Sequence, residues 1–98
     1  MADIDPILKR SAALKEYMSK ARKMATRRDY EGARNLYRLA IGQAKEEFSE
    51  ESADYGLVLL EVADFYESFG RDLELYPIRC KIRNILKRYA TSYIFHED

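Results

Sequence analysis

Few side chains in this sequence offer chemistry. His96 is the only histidine, and it stands beside Glu97 and Asp98 at the very end. A catalytic base or a metal ligand needs partners at fixed geometry. Cys80 lies far back along the chain, so no zinc-ligand spacing exists. Cys80 itself sits in an apolar and basic stretch with no neighbouring base to make it a nucleophile, and reads as a packed thiol. Glu46, Glu47, Glu50 and Glu51 gather four carboxylates, but at a helix end and turn where water solvates them. Gly32, Gly42, Gly56 and Gly70 are scattered rather than gathered into a phosphate-holding loop. No catalytic residue, metal site or cofactor is expected, and the chain reads as a non-enzyme.

Cations are the other chemical resource. Arg22, Lys23, Arg27 and Arg28 form one cluster; Arg79, Lys81, Arg83, Lys87 and Arg88 form another. Both could meet phosphates, with tyrosines nearby. The charge is uneven along the chain. Residues 1–42 carry ten Lys/Arg against five Asp/Glu, net +5; residues 43–76 carry two against ten, net −8; residues 77–98 carry five against two, net +3. An acidic middle repels a nucleic-acid backbone, and several tyrosines fall on core stripes. A small RNA-binding regulator therefore stands as an alternative. A bipolar surface that selects a protein partner by charge stands ahead of it.

These groups must be held by helices. The 98 residues are 47% hydrophobic and 35% charged, with two prolines, and alternating apolar–polar runs are missing. The single cysteine rules out a disulfide within the chain. The opening MADIDP has no basic or apolar leader region, and the longest apolar run is Leu57 to Leu60. A cytoplasmic protein with no membrane span is expected.

Asp5-Pro6 predicts the first helix start, with Asp capping and Pro in the first turn. Leu14, Tyr17, Met18, Ala21, Met24 and Ala25 make its stripe in steps of three and four. Asp29 caps a second helix whose stripe is Tyr30, Ala33, Leu36, Tyr37, Ala40, Ile41, Ala44 and Phe48. Ser52 caps a third, from about Ala53 to Phe69, apolar almost all round and so buried on more than one side. Gly70 ends it. Asp72 or Tyr76 opens a fourth, with Pro77 blurring the boundary and a stripe of Leu75, Ile78, Ile82, Ile85, Leu86 and Tyr89. Short connections make neighbours antiparallel.

Shifted against itself by 42 residues, the chain keeps its apolar pattern. Ala21 falls on Ala63, Met18 on Leu60, Met24 on Tyr66, and Ala33, Leu36, Ala40 and Ala44 fall on Leu75, Ile78, Ile82 and Leu86. Such a period suggests stacked helical hairpins. Alanine then has a purpose, because only a small side chain fits where two backbones cross closely. The expected fold is all-α: two stacked antiparallel hairpins of four helices, with a helical tail allowed for. One domain fills residues 1–98, with repeat one about 6–48, repeat two about 52–90 and a tail at 91–98.

DYEGARNLYRLAI at 29–41 and EVADFYESFG at 61–70 resemble the tetratricopeptide repeat in its 42-residue form, as in kinesin light chains. Arg28 stands where that family has glycine, and Leu75, Arg79 and Ile82 stand where it has Ala, Tyr and Ala. The first stretch also resembles the microtubule-interacting-and-trafficking domain, a three-helix bundle; the fourth helix and the 42-residue register favour the first resemblance. That resemblance implies a protein–protein interaction module with a concave groove for a peptide or partner helix. By the family register the groove is lined by Lys15, Met18, Ser19 and Arg22 on the first helix and by Leu57, Leu60, Glu61 and Asp64 on the third. The Lys-and-Asn carboxylate clamp of chaperone-binding members is missing, since Asn occurs only at 35 and 84.

A second surface follows from the stripes. One side of the fourth helix can pack on the third; the other is uncovered. Ile82, Leu86, Tyr89, Tyr93, Ile94 and Phe95 are therefore expected to mediate self-association, as a homodimer or against further helices of a larger assembly. A self-assembling structural module is thus another alternative function.

Overall fold

The computed structural model describes the backbone of residues 4–97 and the side chains of residues 4–88. The protein is all-α, with helices α1 (Asp5–Arg10), α2 (Ala12–Thr26), α3 (Tyr30–Phe48), α4 (Ala53–Ser68) and α5 (Asp72–Glu97). Helices α2 and α3 form one antiparallel hairpin, α4 and α5 a second, and α3 packs on α4 to stack them.

The first expected helix is two. At Ser11 the backbone leaves the helical region (φ −139°, ψ 105°), and its Oγ accepts a hydrogen bond from the Leu14 N–H at 3.1 Å. That bond caps α2, and the same hydroxyl donates to Glu47 Oε2 at 2.5 Å on α3. Ser11 is buried, and Glu47 reaches it from an exposed position on α3. Helix α1 starts at Asp5, with Ile4 rather than Asp5 at the capping position and no side-chain cap. It is anchored instead by Ile7 and Leu8, both buried.

The other caps stand where the residue types put them. Asp29 accepts from Gly32 N at 3.0 Å, and Ser52 accepts from Tyr55 N at 3.1 Å. The two hairpin links share one geometry. Arg28 N donates to Ala25 O and Asp29 N to Met24 O; Gly70 N donates to Glu67 O and Arg71 N to Tyr66 O. Each member of the second set lies 42 residues after its counterpart in the first (28 and 70, 25 and 67, 29 and 71, 24 and 66). Both links are Schellman turns, which need one left-handed residue. Gly70 takes φ 68° freely; Arg28 takes φ 62° at a steric cost and lays its guanidinium 4.1 Å from the Phe69 ring centre.

Pro77 does not end a helix. α5 begins at Asp72 and runs through it. Pro77 and Leu73 are both exposed, so the Leu73 carbonyl that loses its partner faces solvent. The helical backbone continues to Glu97, which settles the tail as helix.

Ala21, Ala33, Ala40 and Ala44 are all fully buried, and Ala13 is exposed. The core between them is filled by Leu14, Met18, Val58, Leu59 and Val62, each worth roughly 1.5–3 kcal/mol of burial. Ala21→Leu or Ala33→Leu should cost on the order of 1–3 kcal/mol by overpacking, and Ala13→Leu almost nothing. Thermal melts of the three variants check this; equal melting would refute the packing.

A second expectation concerns Ser11. Ser11→Ala should cost about 1–2 kcal/mol through the lost cap, and it also removes the part-buried bond to Glu47. The hydrogen bonds from Ser11 and Gln43 hold the Glu47 carboxyl below its usual range. A lowered folded pKa means that the contribution is present above the ordinary carboxylate range and is lost as pH falls through the lowered value. Urea titrations at descending pH should show the gap between wild type and Ser11→Ala narrowing in acid to the part owed to the cap, which does not titrate.

Candidate functional site

The residues expected to line one concave groove divide into three groups. Lys15, Ser19 and Arg22 lie against α1, sharing a depression with Asp5, Leu8 and Lys9. The chain's own N-terminal helix therefore occupies much of that wall. Met18 is fully buried and belongs to the core, not to an open surface. Its apolar side chain falls on the inward stripe with Leu14 and Ala21, which a groove register alone does not distinguish from the rim.

Arg22 and Glu61 are engaged with each other. Arg22 Nε donates to Glu61 Oε2 at 2.8 Å, and Nη2 to Oε1 at 2.6 Å, a two-pronged ion pair. Tyr37, nearly buried, donates its hydroxyl to the same Oε2 at 2.9 Å. The bond to Glu61 holds the Arg22 guanidinium above its ordinary range; burial, then the charge of Glu61, pushes the Tyr37 phenol well up. One carboxylate thus ties α2, α3 and α4 together. Its neighbour Asp64, one turn away on α4, is exposed and holds no ion pair among the described residues.

The remaining two groove residues join a different set. Leu57 and Leu60 line an apolar groove of about 310 Å³ between α4 and α5, together with Ala53, Gly56, Ile82, Ile85 and Leu86. Leu57 and Leu60 were expected in a peptide groove, Ile82 and Leu86 in a self-association surface; the structure puts them on the same site. Ile82 and Ile85 form its floor, both buried, while Leu60 is 40% and Leu86 57% exposed at its edges. Gly56 adds no side chain, and Ile85 Cγ2 comes within 3.5 Å of where its Cβ would stand. Ala53, Gly56 and Ile85 are lining residues outside the expected sites; their signal is the spacing of Ile85 three after Ile82, of Gly56 four before Leu60 and of Ala53 four before Leu57. The side chains of Tyr89, Tyr93, Ile94, Phe95 and His96 lie outside the described residues.

Among the described residues, four of the nine clustered cations are engaged within the chain. Arg22 holds Glu61, Arg79 holds Glu67 at 3.0 Å, Arg88 pairs with Glu51, and Arg28 covers Phe69. Arg83 and Lys87, beside the groove on α5, are exposed and make no ion pair among the described residues. Cys80 is half-buried. Among the described residues, no three His, Cys, Asp or Glu side chains could hold a metal ion, and no helix is long and apolar enough to cross a membrane.

No family model, no curated protein and no solved structure matches the chain.

The Glu61 joint makes opposite predictions for two charge reversals on the expected groove. Arg22→Glu sets two carboxylates side by side and strands the Tyr37 hydroxyl's acceptor in repulsion; it should destabilise by about 1–3 kcal/mol. Asp64→Lys, on an exposed site, should shift stability by less than ~0.5 kcal/mol. Denaturant midpoints of both variants test the pair, and a silent Arg22→Glu would show that the joint carries no stability.

Proposed function

We propose that this chain is a non-catalytic protein–protein interaction module that receives a helix of another polypeptide in the α4–α5 groove. The observation that carries the reading is the pair Leu60 and Leu86. Two large apolar side chains stand exposed on opposite edges of a groove whose floor is Ile82 and Ile85. Isolated exposed leucines are ordinary; a contiguous apolar trough between two rigid helices fits the helix-in-groove mode of recognition.

The 42-residue correspondence of the two hairpin links, with a further helix α5 after the second, favours a tetratricopeptide-like origin over a three-helix bundle. Within that reading the working surface moves. The α2 wall of the family's groove is occupied by α1, so docking shifts to the end of the stack.

Leu60→Glu tests this. The side chain is partly exposed, so the variant should fold, with a circular-dichroism spectrum like wild type and a melting temperature within a few degrees of it. Used as bait in an affinity capture, it should lose proteins that wild type and a Leu39→Glu control both retain. Leu39 is also exposed but lies away from the groove, on α3. Equal retention by Leu60→Glu and wild type would remove the groove from the function.

A further inference from the structure

The chain contains its own example of what belongs in this groove. Subtracting 42 from Gly56, Leu60, Ile82 and Leu86 gives Leu14, Met18, Ala40 and Ala44, the matching positions of the first hairpin. All four of those are fully buried, because α4 packs on α3 there and α1 lies along α2. In the second hairpin the corresponding Leu60 and Leu86 are open. Helix α4 runs parallel to α2, since each opens its hairpin and both are antiparallel to α3. It enters with an apolar stripe in which Val58, Val62 and Phe65 are all buried, Phe65 against the Tyr30 and Tyr37 rings of α3, and it is locked by Glu61 against Arg22.

The lock is reversed in the second hairpin. Position 22 corresponds to position 64, and Asp64 there is an exposed acid without an ion pair among the described residues. Position 37 corresponds to position 79, and Arg79 is already held by Glu67. Arg83 and Lys87 follow the lining residues Ile82 and Leu86 along α5 and are exposed, so a cation is better placed on the α4 side.

We infer that the occupant of the groove is an amphipathic helix of a partner protein, laid parallel to α4, with an apolar stripe like that of α4 and a Lys or Arg where α4 carries Glu61. This rests on the helix-docking reading above and specifies its partner. A second copy is a poorer occupant. The helix that a head-to-tail copy would offer is α2, whose residues matching Val58, Val62 and Phe65 are Glu16, Lys20 and Lys23. Lys20 would be forced into the apolar floor.

The test uses two fluorescein-labelled peptides with the sequence of residues 52–69, one unchanged and one carrying Glu61→Lys, titrated with the intact protein in low salt and followed by anisotropy. The lysine peptide should bind about threefold to fivefold more tightly, as an exposed ion pair allows. Asp64→Lys in the protein should invert that order, and Leu60→Glu should abolish binding of both. Equal binding of the two peptides, still lost in Leu60→Glu, would keep the helix-docking reading and overturn the charge assignment. Binding that ignores Leu60→Glu would reflect exchange with the protein's own α4 and overturn both. Sedimentation of the protein alone closes the remaining route: a concentration-dependent dimer abolished by Leu60→Glu would make a second copy the occupant and overturn the inference.

Discussion

Helix α3 is gripped from both sides, and everything else in the protein is arranged around that fact. It packs on α2 along one flank and on α4 along the other, so its inward positions cannot carry bulk on both. Ala33, Ala40 and Ala44 give way. Tyr37 alone among its fully inward positions is large, and its ring lies 4.9 Å from that of Phe65 on α4. A phenol so placed has to find an acceptor, and it finds Glu61, which is thereby fixed for Arg22. The aromatic packing, the ion pair and the spacing of three helices are thus one arrangement. Phe65 continues it outward, stacked on Tyr30 and tilted against Tyr66 and Phe69.

Much of this was legible in the residues. Asp29, Ser52 and Gly70 announce helix ends because each satisfies a local backbone demand that few other residues meet. The alanine spacing announces close crossings for the same local reason. What escaped the sequence is non-local. Ser11 breaks the first helix, yet Ile7 and Leu14 are seven residues apart and keep one helical register, so the stripe passes over the break unmarked. Its meaning depends on Glu47, far away in the chain. Pro77 carries a strong warning of a helix boundary, and the warning does not hold because the bond it forfeits lies on the solvent side.

The candidate site was half legible. Leu57, Leu60, Ile82 and Leu86 are all recognisable as apolar residues with more than one face to cover, Ile82 and Leu86 on the stripe of the fourth helix and Leu57 and Leu60 on the nearly all-apolar third. Assigning them to two surfaces followed from treating each helix alone; a groove belongs to a pair. Arg22 and Glu61 show the converse. Opposite charges on facing helices satisfy each other before they can serve a ligand, and no pattern within a single helix reveals that.

The two hairpin links hold one more consequence. Arg28, in the first link, covers Phe69 at the end of α4, while Arg71, in the second, covers Tyr30 at the start of α3, each at 4.1 Å. The hairpins are therefore clasped reciprocally at one end of the stack. At the opposite end the short turn from Phe48 to Ala53 ties α3 to α4, so the freedom left is for α5 to part from α4, pivoting about the second link and widest where α4 begins and where Ala53 and Gly56 line the groove. The molecule is built like a clothes peg: its spring is the aromatic end, and its jaws are the end that a guest would have to part.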